Sequence, residues 1–195
     1  MTAQLRWRVM VLQVGLIGIL VFCAGFLLWG NSFIHNQIST ELTAQQISFP
    51  AANSPAIAAL PSADATAMNV YAGQPLTTGQ QAQTYANSFI AVHLNGIAGG
   101  LTYSQMSAKA QANPTDTKIA GQVATLFKGE TLRGLLLNAY GWWTIGTYAL
   151  YAAVGLAVAA LVVLGAFALE IFLWIRQREN VVVPYTAVRP KAVLA

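Results

Sequence analysis

The chain has 195 residues, 56% of them hydrophobic and only 8% charged, against about 25% charged in a soluble domain, which argues against a water-soluble domain along its whole length. The formal net charge of +4 comes from the two ends: Arg6 and Arg8 near the start, Arg176, Arg178, Arg189 and Lys191 near the finish. The middle is neutral, so no basic face for nucleic acid is formed, and the single Cys23 rules out an intramolecular disulfide or a multi-cysteine zinc site.

Residues 9–29, VMVLQVGLIGILVFCAGFLLW, hold one polar side chain, Gln13. As a helix they cover about 30 Å, one bilayer core. The run is too long for the apolar region of a cleaved signal peptide and no A-x-A site follows it, so a retained signal-anchor is expected. Phe22 before Cys23 does not suit a lipoprotein site. The helix is expected to continue, because Ile34, Ile38 and Leu42 recur every four residues. It should end before Pro50.

An Ala/Pro connector follows, then a short helix after Ser62. Thr78 is placed to cap a helix that stops at Gly99–Gly100, with Tyr85, Phe89, His93 and Ile97 on one face. Thr102 caps another, carrying Tyr103 and Met106. Beyond Pro114, either Thr115 or Asp116 can cap the last helix, whose expected buried stripe is Ile119, Val123, Leu126 and Phe127.

From Gly134 to Leu169 there is no charge. A continuous helix would run about 50 Å, beyond the ~20 residues a bilayer core needs, so part of it should emerge. The second span is placed at 147–175, including its inner interface at Glu170 and Trp174. Glu170 there reads either as a snorkelling interfacial carboxylate or as an ion-coupling group. The tail 176–195, broken by Pro184 and Pro190, reads as a flexible end. The positive-inside rule puts both termini (1–8 and 176–195) in the cytoplasm and residues 30–146 outside the plasma membrane. The expected fold is therefore an all-α membrane protein, two transmembrane helices with a helical extracytoplasmic insertion between them.

Gly15, Gly18 and Gly25 in the first span, and Ala152, Gly155, Ala159 and Ala166 in the second, would let backbones approach closely. Either the spans pack on each other through these faces, or one face takes another subunit. Glu130 and Arg133 share a helix face, and Trp142–Trp143 follow about 13 Å along the axis, at a depth suited to headgroups. Apolar neighbours put Arg133 in a partly desolvated clamp with Glu130, with His93 or Tyr103 as a further polar partner. His93, on an apolar face, reads as a core histidine or as a metal or proton-relay group. His35 is the only other histidine, on a separate helix, so no metal is expected. No catalytic triad, phosphate loop or carboxylate pair is present in the pattern, and no cofactor is implied.

YANSFIAVH, then GGLTYSQM, then TLRGLL, with YAGQPL upstream, resemble an uncharacterised family of small actinobacterial membrane proteins with two spans and an extracytoplasmic loop. The likeness covers roughly residues 60–165, and its motif positions fall on His93, Gly99, Gly100, Thr102, Tyr103, Leu132 and Arg133. Some members carry an aromatic ring-opening dioxygenase label, which would imply two histidines and a carboxylate around non-haem iron. His35, His93 and Glu130 are the only such set here, and their spacing does not bring them together. The reading favoured by the residues is a non-catalytic integral membrane protein, an accessory or assembly subunit of a larger membrane or cell-envelope complex. Its expected partners are membrane lipid and another membrane protein or a second copy, not nucleic acid. The alternative is a homo-oligomer lining a pathway or sensing lipid, favoured if Glu170 faces other copies; an iron enzyme comes third.

Overall fold

Every regular element in the computed structural model, which describes residues 3–179, is a helix. In chain order these are α1 (Ala3–Ala44), α2 (Pro55–Ala58), α3 (Ser62–Asn69), α4 (Gly79–Thr84), a π-helical segment (Tyr85–Ile90), α5 (Ala91–Ala98), α6 (Tyr103–Ala112) and α7 (Thr117–Glu179). The proline-broken tail and its Arg189 and Lys191 lie outside the described residues. α1 and α7 are each long and apolar enough to cross a membrane. In the most apolar 18-residue stretch of each, 6% of residues are buried, which is not how the core helix of a water-soluble protein is built.

The described residues divide into two compact units, residues 26–152 and the helix ends 3–25 with 153–179. In the first unit all seven helices contribute to one core. Ile57, Met68, Leu76 and Leu126 are its fully buried large side chains. Local chemistry sets the boundaries. Thr78 and Thr102 each form a capping box with the glutamine three residues on, Gln81 and Gln105, which satisfies helix donors that otherwise have no partner. Asp116, rather than Thr115, caps α7 by accepting from the amides of Lys118 and Ile119. Gly99, at φ +58, closes α5 in the left-handed conformation that glycine adopts without steric cost. The α1–α2 and α3–α4 connections meet in one antiparallel bridge, Ser48 with Pro75.

The expected helix over 79–98 is present, but it is α, then π, then α. Its buried apolar side chains are Ala82, Ala86, Ile90, Leu94 and Ala98, spaced by four. An α-helix turns about 100° per residue, so a spacing of four drifts by about 160° over these positions. The wider π turn absorbs part of that drift and keeps the row on the core. The expected face of Tyr85, Phe89, His93 and Ile97 lies beside that row: His93 and Ile97 are exposed. Phe127 also departs from the expected stripe; it is 59% exposed, while Ile119 and Leu126 are buried.

Two close approaches press α7 onto this helix. A Cβ on Gly79 would collide with Trp143 Cβ and Cγ, and one on Gly129 would meet the Leu94 methyls. Close to the Trp143 Cβ, glycine leaves the room the approach needs, whereas the Leu94 side-chain end can shift.

In the second unit the two helix ends pair along seams spaced alternately by three and four. The less exposed residues include, on α1, Arg6, Met10, Gln13, Ile17, Leu20 and Ala24, with Val9 and Cys23 beside them, and, on α7, Ala153, Leu156, Ala160, Val163, Phe167 and Glu170, with Ala159, Ile171 and Trp174 flanking or extending that row. This 3.5-residue repeat marks a left-handed helix pair. The small residues at the closest contacts are Ala24, Ala153 and Ala160. Gly15, Gly18, Gly25 and Gly155 are off the seam, with nothing within 4 Å of an added Cβ. The pairing of the two helices thus does not use the glycine faces that the sequence singles out; Ala159 is partly buried and Ala152 exposed.

Candidate interaction sites

α1 and α7 are locked together at His35. α1 supplies Asn31 and His35, four apart and so on one face; α7 supplies Trp143, Gly146 and Thr147. The imidazole stacks on the Trp143 indole, ring centres 4.0 Å apart, and its Nε2 lies 3.0 Å from the Trp143 carbonyl oxygen. A carbonyl only accepts, so Nε2 carries the proton and Nδ1 is left to accept from Asn31 Nδ2 at 3.3 Å. Asn31 Nδ2 also donates to the Gly146 carbonyl at 2.8 Å. A side chain at Gly146 would touch the imidazole, 3.0 Å away. Two backbone carbonyls of α7 are thereby claimed by side chains of α1. Sequence reasoning considered His35 only as a metal ligand and missed this role; the available signal was the Asn31/His35 spacing just beyond an apolar run.

Trp142 and Trp143 do different work. Trp142 is half exposed, but Trp143 turns inward against Gly79 and His35. The expected collar of two outward tryptophans is therefore one outward and one inward.

Arg133 pairs with Glu130 at 3.2 Å. The side chains are 32% and 41% exposed, so the pair is not the desolvated clamp expected from the apolar neighbours. The third partner is Asn87 of the π segment, whose Oδ1 accepts from Arg133 at 3.2 Å; His93 and Tyr103 are not its partners. His93 instead gives its Nδ1–H to the Phe89 carbonyl at 2.7 Å, within its own helix. Tyr103 lies against Phe127, ring centres 6.0 Å apart. Arg133 Nε is buried without a hydrogen-bond partner. Beside it lies an open cleft of about 230 Å³ lined by Leu94, Asn95, Thr102, Leu126 and Glu130.

The second buried orphan belongs to the paired helix ends. Arg6 bonds Gln177 at 3.2 Å, and Gln13 and Glu170 each lie seven residues inward from that pair, at matching seam positions. Gln13 Oε1 and Glu170 Oε2 are both buried without a partner. Glu170 thus belongs to the seam between α1 and α7 rather than to an outward face.

His35, His93 and Glu130 sit on α1, α5 and α7, each with the separate partner named above. Among the described residues no three His, Cys, Asp or Glu side chains group as a metal site. Burial raises the Tyr85 hydroxyl above its ordinary value; its ring packs between Phe49 and Phe89. A longer apolar groove lies between the end of α1 and the middle of α7, about 290 Å³, floored by the buried Leu42 and Leu136. No family model, curated protein or solved structure matches this chain.

Proposed function

We propose that this chain is a two-span plasma-membrane protein with both termini in the cytoplasm, and that it works by holding another membrane protein rather than by catalysis, as an accessory or assembly subunit. The observation that carries the reading is the open glycine surface. Gly15, Gly18, Gly25 and Gly155 lie on two long apolar helices, yet the pairing of those helices leaves them uncovered. In lipid, close backbone approach is a main source of helix association, so an uncovered glycine row is available to a further helix. The likeness of residues 60–165 to two-span actinobacterial proteins supports the same architecture. The homo-oligomeric pathway reading drew on Glu170 facing other copies, and its seam position withdraws that support.

The test is purification in gentle detergent with mass spectrometry of co-purifying chains. A second membrane protein in fixed ratio is expected, and Gly18→Leu, which fills the row without touching the seam, should lose it while helicity by circular dichroism is unchanged. A chain that purifies alone, wild type and variant alike, contradicts the proposal.

A further inference from the structure

The groove between α1 and α7 has a one-sided chemistry. Its walls are Ile38, Ile47, Leu132, Leu135 and Ala139, and its polar lining is Glu41, Gln45 and Asn138. Leu135 is 65% exposed although it lies over a core floor. At about 290 Å³ the groove is close to the lower end of small-ligand sites, about 300–1,000 Å³, and shares their pattern of apolar walls with few polar groups.

Two observations say what it takes. First, its α7 wall runs down one helix face: Leu132, Leu135, Ala139 and Trp142 are spaced by three, four and three. The groove therefore opens one turn from the half-exposed Trp142, and apolar surface continues to Ile145. Second, Glu41, the only charged residue in the lining, follows Ile38 by about one turn of α1 on the side away from Trp142, with Gln45 just past the helix end beyond it, whereas Asn138 lies about one turn from Trp142. Glu41 Oε1 accepts from Gln37 at 3.0 Å; the carboxylate's remaining lone pairs suit hydroxyl donors, and its charge repels an anionic group.

Resting on the two-span reading, in which Trp142 marks the outer headgroup level, we infer that this groove holds the acyl chain of one membrane lipid with an uncharged, hydroxyl-bearing headgroup. The chain enters past Trp142, lies between Ile38 and Leu135, and places its headgroup hydroxyls against Glu41 and Gln45. Anionic lipids are disfavoured by Glu41.

The test uses the full-length protein in phosphatidylcholine nanodiscs doped with a monoacylglycerol carrying a diazirine in its chain. After illumination, labelled positions are mapped by peptide mass spectrometry. Label is expected at Ile38, Leu135 and Ala139 as well as on the outward span residues Val158 and Leu161. Ala139→Trp, which fills the groove, should reduce groove label about tenfold or more and leave span label unchanged. Leu135→Asn, at an exposed position that the core does not need, should act the same way if Ala139→Trp perturbs folding. The matching fatty-acid probe, a carboxylate, should label the groove several-fold less. Span label without groove label, or groove label indifferent to both variants, overturns the inference and leaves the two-span reading standing. Equal groove label by the fatty acid overturns the assigned headgroup. Absence of span label instead strikes the two-span reading itself.

Discussion

Residues 26–152 and the paired helix ends of residues 3–25 and 153–179 are both rich in alanine, leucine and glycine, yet treat apolar surface oppositely. The first region folds its large side chains inward: Met68 is 0% exposed and the one buried polar side chain, Gln81, is fully engaged. Its Oε1 accepts from the Thr77 and Thr78 amides at 2.8 and 3.0 Å, and its Nε2 donates to Gln74. The second region buries mostly alanine and turns Leu12, Phe22, Leu161 and Val162 outward. Removal of apolar surface from water holds the first. The second leaves most of its large apolar side chains uncovered, an arrangement that suits the two-span proposal, since helices in lipid associate through close packing along a narrow seam. Threonine, serine and asparagine occur in the first region and not in the second, and the direction in which the large side chains point completes the contrast.

The contrast can be broken by truncating one large side chain in each region. Met68→Ala should destabilise by about 2–5 kcal/mol, as deletion from a closed core does. Leu161→Ala, at a position 66% exposed, should stay within about 0.5 kcal/mol in detergent. Thermal unfolding of both in one detergent reads the difference, and equal losses would erase the distinction between the regions.

Glycine substitutions sharpen it further. Gly79→Ala drives a methyl into Trp143 Cβ and Cγ and should cost about 1–3 kcal/mol. Gly18→Ala meets nothing within 4 Å and should be neutral or raise the unfolding midpoint, because alanine is favoured over glycine in a helix by about 0.5–1 kcal/mol.

Smaller effects are expected at the two polar positions of the first region. Arg133→Ala should cost about 0–1 kcal/mol, since solvent screens an ion pair this exposed; a loss near 3 kcal/mol would restore the buried-clamp reading. Tyr85 supplies a pH test. Its folded-state value is raised by burial, so its contribution is fully present below pH 10, the ordinary tyrosine value, and declines as pH climbs through the raised one. Tyr85→Phe should flatten that alkaline decline in an unfolding titration; an unchanged slope would place the decline elsewhere.

Much of the helical layout was legible because it is written in local chemistry. The threonine-to-glutamine spacing at Thr78 and Thr102 announces a capping box, and Gly99 announces a stop. The end of α1 at Ala44, ahead of Pro50, and the start of α3 at Ser62 follow the same logic. What was hidden depends on which face meets which. When every face of a helix is apolar, periodicity cannot reveal the seam, so the glycine rows drew attention while Gln13, Ile17 and Ala24 made the contact. The π segment leaves no compositional mark, and without its extra width Tyr85, Phe89 and His93 read as the inner row. Arg133 was read as buried from its sequence neighbours, but its surroundings are set by Asn87, 46 residues away. The His35 lock was missed for the same reason: its acceptor is a backbone carbonyl, which no side-chain motif reports.

The central claim, that the two long helices cross a membrane with the region between them outside, is tested most directly by single-cysteine labelling in intact cells. In a Cys23→Ser background, a membrane-impermeant maleimide should label Ala52→Cys in intact cells, and Leu5→Cys only after lysis. With native Cys23 retained and no other change, little label is expected in either state, because the thiol would lie in lipid. Labelling of Leu5→Cys in intact cells, or of Ala52→Cys only after lysis, would contradict the two-span account.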